Sequence, residues 1–342
     1  METLTGMRDP ARPAFKIQWA GRQVSEELTP FILRLSYTDH EEGQSDSMDI
    51  TLEDVDGRFR SGWYPTHGDR LRLQLGYQDG EQLDGGEFEI DEVELSGPPD
   101  IVVIRALAAG VTRPQRTPQG RGYDDTTLAA IAQSIAGRQK LALIGRIEPI
   151  RIIRATQIHE TDLAFLRRLA GEYGYAFSVK GGRLVFCKLE DLHRGKPVLE
   201  LRRGDISRYG CRDKIKGVVR QASVSYHDPR TRQCVSHSAR QRNGTASGDA
   251  IKLNSRVESA QQARVKAEAA MTRQRLEATS VSLTLYGNPK LVAGVNFSLL
   301  DMGALSGIYH IVSSRHEMDR GGGYRTEVEA RRLARKTGKG DK

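Results

Sequence analysis

A chain of 342 residues has room for two or three domains and a sizeable buried core. The mean hydropathy is -0.52 and no long apolar run is present; together with a start, METLTGMRDP, that lacks an apolar signal core, this excludes a membrane span and predicts synthesis in a cytoplasm. The net charge of +8 is interleaved with carboxylates and not gathered into an aromatic-basic ladder, which argues against a nucleic-acid platform. Cys187, Cys211 and Cys234 are spaced too widely for a zinc knuckle and are odd in number, so they read as ordinary reduced thiols and not as a disulfide framework.

The first hundred residues alternate. Phe15, Ile17 and Trp19 lead to a turn at Gly21; Ile32 to Tyr37 and Met48 to Leu52 continue the pattern, and Asp54-Val55-Asp56-Gly57 turns the chain before Phe59 and Trp63-Tyr64-Pro65. Gly68 opens Leu71, Leu73 and Leu75. Gly85-Gly86 precede Phe88, Ile90, Val93 and Leu95, and Gly97-Pro98-Pro99 leads to Val102, Ile104 and Ala106. Period-two alternation punctuated by Gly and Pro marks half-buried antiparallel strands, so residues 1–111 are assigned to a first β-barrel. Arg70, Arg72 and Gln74 fall opposite the leucines, on a face that suits a channel lining and a solvated exterior equally. Glu87, Glu89 and Asp91 flank Phe88 and Ile90 as the exposed carboxylates of a strand. Asp54-x-Asp56-Gly57 lacks the distal ligands of a calcium loop and reads as a tight turn.

A linker over 113–120 introduces a small α/β domain, 112–205. It contains a helix capped by Asp125 or Thr126 with Leu128, Ile131, Ala132 and Ile135 on its apolar side, and an extended run from Ile147 to Ile153. A second helix starts at Thr161, presents Leu163, Leu166, Ala170 and Tyr173 widened by Phe165 and Leu169, and ends at Gly174. A hairpin then turns at Gly181-Gly182.

A second barrel is expected over 206–236 and 279–333, with strands at Val218-Val219 and at Ala222, Val224 and Tyr226 before a His227-Asp228-Pro229 turn. An insertion over 237–278 interrupts it and carries a long helix from about Val257 to Ala278, striped by Ala260, Ala263, Ala267 and Ala270. The strands resume at Val281, Leu283 and Leu285. After Gly287-Asn288-Pro289, Gly294 opens Val295, Phe297 and Leu299; Gly307 precedes Tyr309 and Ile311, and Gly321-Gly322-Gly323 leads to Thr326, Val328 and Ala330. This repeats the breaks of residues 68–106, as two related barrels do and as any two antiparallel meanders also can. The basic stretch 334–342 is read as a disordered tail.

No Gly-x-Ser-x-Gly elbow, Walker loop or His-Glu-x-x-His pair occurs, so no catalytic, cofactor-binding or metal residue is assigned and no enzyme is expected. His310 and His316 have no third ligand at usable spacing and read as core or surface histidines.

Three blocks resemble the late control D protein family of contractile phage tails. They are Thr161 through Ala170 with Tyr173-Gly174-Tyr175 and Gly182 to Phe186; Asp49 to Asp54 with Trp63, Pro65 and Gly68-Asp69; and Gly287-Asn288-Pro289, Gly294, Phe297, Gly307-Ile308-Tyr309 and Gly323-Tyr324. Members are baseplate hub proteins related in fold to the N-terminal part of VgrG spikes. The resemblance implies a mainly β fold with α+β parts: two similar antiparallel β-barrels, a small α/β domain and a helical insertion. It further implies a structural homotrimer that adapts a six-fold tail tube to a three-fold central spike in the baseplate of a phage or of a headless, R-type pyocin-like particle. The tape-measure protein and other baseplate proteins are further expected neighbours; specific nucleic acid and stable membrane association are not. A DNA-binding regulator of late genes is the alternative, and the more than twenty residues between the two middle helices argue against a helix-turn-helix.

Overall fold

The computed structural model describes residues 12–42, 45–108, 117–214, 221–228, 233–240, 250–253, 257–321 and 323–333. Linker residues 113–116, Val218-Val219, Pro229, Gly322 and the basic 334–342 segment lie outside the described residues. The fold is mainly β, with several sheets.

In the first half, β1 (Pro13–Trp19), β2 (Arg22–Gln23) and the single-turn α1 (Ser25–Leu28) precede β3 (Ile32–His40) and β4 (Ser47–Glu53). The meander β5 (Arg70–Tyr77), β6 (Gln82–Ser96) and β7 (Ile101–Ala108) follows. Every second side chain of β4 and β7 is buried, and Met48, Ile50, Leu52, Val102, Ile104 and Ala106 meet Ile17, Leu71, Leu73, Leu75 and Phe88 in one core. Burying each large member stabilises by roughly 1.5–3 kcal/mol, and a one-residue slip would turn the whole set outward, so the alternation itself holds the register.

The middle module contains β8 (Gln119–Thr127), α2 (Leu128–Arg138), β9 (Ala142–Ile144), β10 (Arg151–Glu160), α3 (Asp162–Tyr173), β11 (Tyr175–Lys180), β12 (Arg183–Lys188) and α4 (Leu189–His193). The cap expected at Asp125 or Thr126 falls at Thr127, whose side-chain oxygen accepts from Ala130 N at 3.2 Å. Pairing of Thr126 with Ile152 and Thr127 with Arg151 extends β8 to the very start of the helix, which is why the cap shifts. Helix α3 begins where expected, with Thr161 accepting from Ala164 N at 3.1 Å, and ends on Gly174 at φ 78°. Phe165, Leu166, Leu169, Ala170 and Tyr173 fill a second core with α2 and the β11–β12 hairpin, while Leu163 is only partly buried.

The remaining elements are β13 (Glu200–Arg202), β14 (Ile206–Asp213), β15 (Gln221–Asp228), β16 (Gln233–Arg240), β17 (Ala250–Leu253), α5 (Ala260–Leu276), β18 (Thr279–Tyr286), β19 (Asn296–Leu300), β20 (Gly307–Asp319) and β21 (Gly323–Arg332). One expectation is corrected. Of the described strands in 206–236, only β14 joins the large sheet; β15 pairs with β16 and β17 in a sheet of its own. The reason is burial: Ala222 and Val224 pack under α5, on Met271 and on Ala263 and Ala267 respectively.

Helix α5 is enclosed on two sides. Ala263 and Ala267 lie on Val224 and Val257, while Lys266 turns to α3, with Nζ 2.7 Å from Glu172 and 5.0 Å from the Tyr173 ring centre. A Cβ on Gly174 would lie 3.1 Å from that of Ala269, so α3 ends directly against α5. The expected alanine stripe is thus only half right, since Ala260 is exposed and Ala269, outside the stripe, is buried.

The large sheet has the order β14-β18-β21-β20-β3-β4-β7-β6-β5-β1-β2, with β19 on β20 and β13 on β19. The run β3-β4-β7-β6-β5-β1 is therefore repeated as β14-β18-β21-β20-β19-β13, although β13 runs parallel to β19 where β1 is antiparallel to β5. The repeat extends to irregularities. Gly68 (φ 89°) donates to Ile90 O at 2.9 Å and Gly294 (φ 88°) to Ile311 O at 2.8 Å. The ladder slips after Ile90 and again after Ile311, and also between Ile32 and Arg34 and between Ile206 and Arg208. Left-handed glycines and bulges are positional features that alternation alone does not produce. The halves are fused by β3 on β20, from Ser313↔His40 to Asp319↔Arg34, and Met318 and Tyr324 of the second half enter the first core.

Close packing of α5 makes a direct prediction. Ala263→Leu and Ala267→Leu should each destabilise the protein by about 1–3 kcal/mol through overpacking, whereas Ala260→Leu should be near neutral. Chemical denaturation midpoints of the three variants check this.

Candidate assembly interface

The residues singled out for possible chemistry are engaged structurally. Asp54 Oδ1 accepts from Phe59 N at 2.9 Å, its Oδ2 is 3.1 Å from Arg60 Nε, and Asp56 pairs with Arg58 at 2.6 Å around Gly57 at φ 72°. The loop is an arginine-tied turn. Arg70 and Arg72 are exposed and paired with Glu87 and Asp84. Among the described residues, no group of three or more His, Cys, Asp or Glu is placed to hold a metal ion, and no helix is long and apolar enough to cross a membrane. Strands β9 and β10 separate α2 from α3, so these helices do not form a helix-turn-helix.

His310 and His316 are both fully buried, and they mark a polar seam where the two halves and the middle module meet. Asn296 Nδ2 donates to the carbonyls of Leu192 and Gly195, at 3.0 and 2.8 Å, which turns its Oδ1 to His310 Nδ1 at 2.6 Å. The other ring nitrogen of His310 is 2.7 Å from Glu41 Oε1, just beyond β3. His193, at the end of α4, meets the His310 ring edge-on at 4.9 Å, and burial followed by that neighbour lowers its pKa to about 4. Alongside, Lys180 of the β11–β12 hairpin is paired with Asp39 and lies 3.8 Å from Asp46, while Asp39 Oδ2 accepts from Ala293 N at 2.8 Å. Burial pushes the Asp46 carboxyl up to about 7 against the pull of Lys180. His316 is held by the Tyr324 hydroxyl at 2.8 Å and donates to Leu291 O at 3.1 Å, and burial lowers its pKa to about 4.

Sequence reasoning singled out none of Glu41, Asp39, Asp46, Lys180, His193 or Asn296. One signal was present: Asp39 continues the inward parity of Leu35 and Tyr37, and a charge on a core-facing position calls for a buried partner. What the seam does is hold β3 against β20 at one angle. Beside this seam the sheet keeps open edges, whose unpaired N–H and C=O groups are of the kind that accepts another strand. Strand β14 ends the sheet order, and β6 beyond Ile90 is paired only with β7 among the described residues.

Similarity to known proteins identifies the family. The profile of the family described as phage tail baseplate hub (GPD) matches residues 101–322. The probable baseplate hub protein of Escherichia phage 186 is 33% identical over 216 residues, covering 60% of this chain and 55% of the relative. This chain spans about half the length of the curated relatives it matches. Among solved structures, the prophage MuSo2 43 kDa tail protein from Shewanella oneidensis superposes with a TM-score of 0.72 at 16% identity, covering 94% of this chain and 98% of that one. The E. coli c3393 protein, a type VI secretion component with structural similarity to the T4 tail proteins gp27 and gp5, gives a TM-score of 0.59 at 13% identity over 89% of this chain and 74% of its own.

The seam carries a pH signature. His316 has a folded pKa near 4 against 6.5 when free, so the unfolded chain takes the proton first. Its contribution is intact above about pH 6.5 and is lost as pH falls toward 4, by about 3 kcal/mol in all. Asp46, with a raised folded pKa, acts in the opposite sense in wild type and variant alike. Urea midpoints taken between pH 7 and 4.5 should therefore fall more for the wild type than for His316→Gln.

Proposed function

Because this chain belongs to the phage tail baseplate hub (GPD) family, we propose that it is a structural, non-enzymatic hub subunit of a contractile tail or tail-like particle, working as a homotrimer. The observation that carries this is the internal repeat, in which two units share one strand order, one pair of bulges and one left-handed glycine within a single sheet. Each unit is read as one of two similar barrels. Three chains then supply six quasi-equivalent units, which suits a six-fold tail tube on one rim, while the middle module with α5 occurs once per chain and keeps three-fold symmetry for the central spike. The tape-measure protein and other baseplate proteins are neighbours on the same axis, and the site of action is the baseplate.

In a reconstruction of the assembled baseplate, three copies of this chain should surround the axis, with residues 32–108 superposing strand for strand on 206–213 together with 279–332. Six copies per axis, or units that fail to superpose in that setting, would defeat the symmetry-adaptor reading.

A further inference from the structure

The internal repeat specifies how one copy recognises the next. Within the chain, β3 of the first unit lies on the C-terminal half of β20 in the second. The counterpart of β3 is β14: Arg34 opposite Thr51 and Leu35 opposite Ile50 correspond to Arg208 opposite Thr284 and Tyr209 opposite Leu283. The counterpart of that half of β20 is β6 beyond Ile90, since Ile90 opposite Ala106 and Val93 opposite Ile104 correspond to Ile311 opposite Ala330 and Ser314 opposite Val328. Both counterparts have an open edge among the described residues, where β3 and β20 have each other. The exposures agree: Leu35 is 1% exposed, while Tyr209 in the matching position is 45% exposed, and Leu95, which matches the fully buried His316, is also 45% exposed.

We infer that β14 of one copy pairs with β6 of a second copy of this chain in the register of the β3–β20 junction. This deepens the trimer reading and rests on it. Transferring the pairs Ser313↔His40, Arg315↔Thr38 and His316↔Tyr37 places Glu92 opposite Lys214, Glu94 opposite Arg212, and Leu95 opposite Cys211. The transferred register brings Glu92 and Glu94, which share Arg105 on their own sheet, against two cations and covers an exposed leucine, with Val93 opposite Asp213 between the charge pairs. At the intrachain junction the positions of the two charge pairs hold Ser313 with His40 and Arg315 with Thr38, and the carboxylates of that ladder stand elsewhere, at Asp39, Glu317 and Asp319. Charge is needed where the edges are open: an acidic edge rejects another acidic edge, and only the basic β14 fits it in register. Because a β14 edge meets a β6 edge and never its own kind, the contact is head-to-tail, and on the three-fold reading it closes as a ring.

The test uses the full chain with Cys187, Cys211 and Cys234 replaced by serine. With Glu94→Cys and Arg212→Cys combined, mild oxidation should give a covalent series that closes at three chains, and mixing the two single variants should give covalent dimers only. Glu94→Cys with Arg208→Cys, out of register, should remain uncrosslinked. By mass measurement, Glu94→Arg or Arg212→Glu alone should weaken association about tenfold, and the two together should restore it. A trimer that resists the in-register crosslink and ignores both charge reversals overturns this interface and leaves the hub reading standing. A chain that stays monomeric and uncrosslinked at the highest concentration it tolerates overturns the interface too. A covalent series closing at another number supports the strand pairing and sinks the three-fold reading.

Discussion

The pairing of β3 with β20 is the constraint on which the rest of the architecture depends. Without it the chain would hold two units, each with its own apolar core; with it, one hydrogen-bonded sheet runs through both and their relative position is set by a ladder of seven residue pairs. A ladder is a stiff coupling, because any rotation of one unit against the other breaks backbone hydrogen bonds or turns buried side chains outward. The Tyr77 hydroxyl adds a second tie across the units, donating to Gly287 O at 2.7 Å, and Gly287 lies so close to Tyr324 that a Cβ there would come within 2.0 Å of its ring.

Polar groups buried beside this ladder explain how the middle module is placed. A carboxylate taken out of water is tolerated only beside a partner, and Asp39 finds Lys180 from the hairpin and Ala293 N from the second unit, while Glu41 finds His310. Each of these contacts joins segments more than a hundred residues apart in sequence. A different docking of the hairpin would leave Asp39 and Asp46 buried without their cation, so the seam selects one arrangement more than it adds net stability.

The β3–β20 junction and the two open edges carry different side chains. At the intrachain seam the partner is covalently attached and always present, and the charged residues of the ladder are tied within the chain, Asp39 to Lys180 and Glu317 to Arg34 and Arg315. At the open edges the same fold positions carry Glu92 and Glu94 on one side and Arg212 and Lys214 on the other. An exposed edge without charge would pair with any strand it met.

Much of this protein was legible in local pattern. Alternation in residues 48–52, 71–75 and 102–106, the Thr161 cap and Gly174 terminus of α3, and the matching of residues 68–106 with 294–330 were all readable, because burial of alternate side chains and satisfaction of helix ends are decided within a few residues. Membership of a tail-hub family was legible for the same reason, through short blocks in fixed order. Pairing between distant segments was not. Nothing in Ala222 or Val224 reveals that β15 leaves the large sheet for α5, nothing near Thr126 shows that β8 runs to the helix start, and His310 gives no sign of Glu41, a partner 269 residues away. The sequence by itself determined the inward faces of the alternating strands and the ends of α3, since those depend on local sterics and periodicity. Only the tertiary structure decided which strand lies beside which and which edges stay open, because a backbone edge offers the same N–H and C=O groups to every candidate partner.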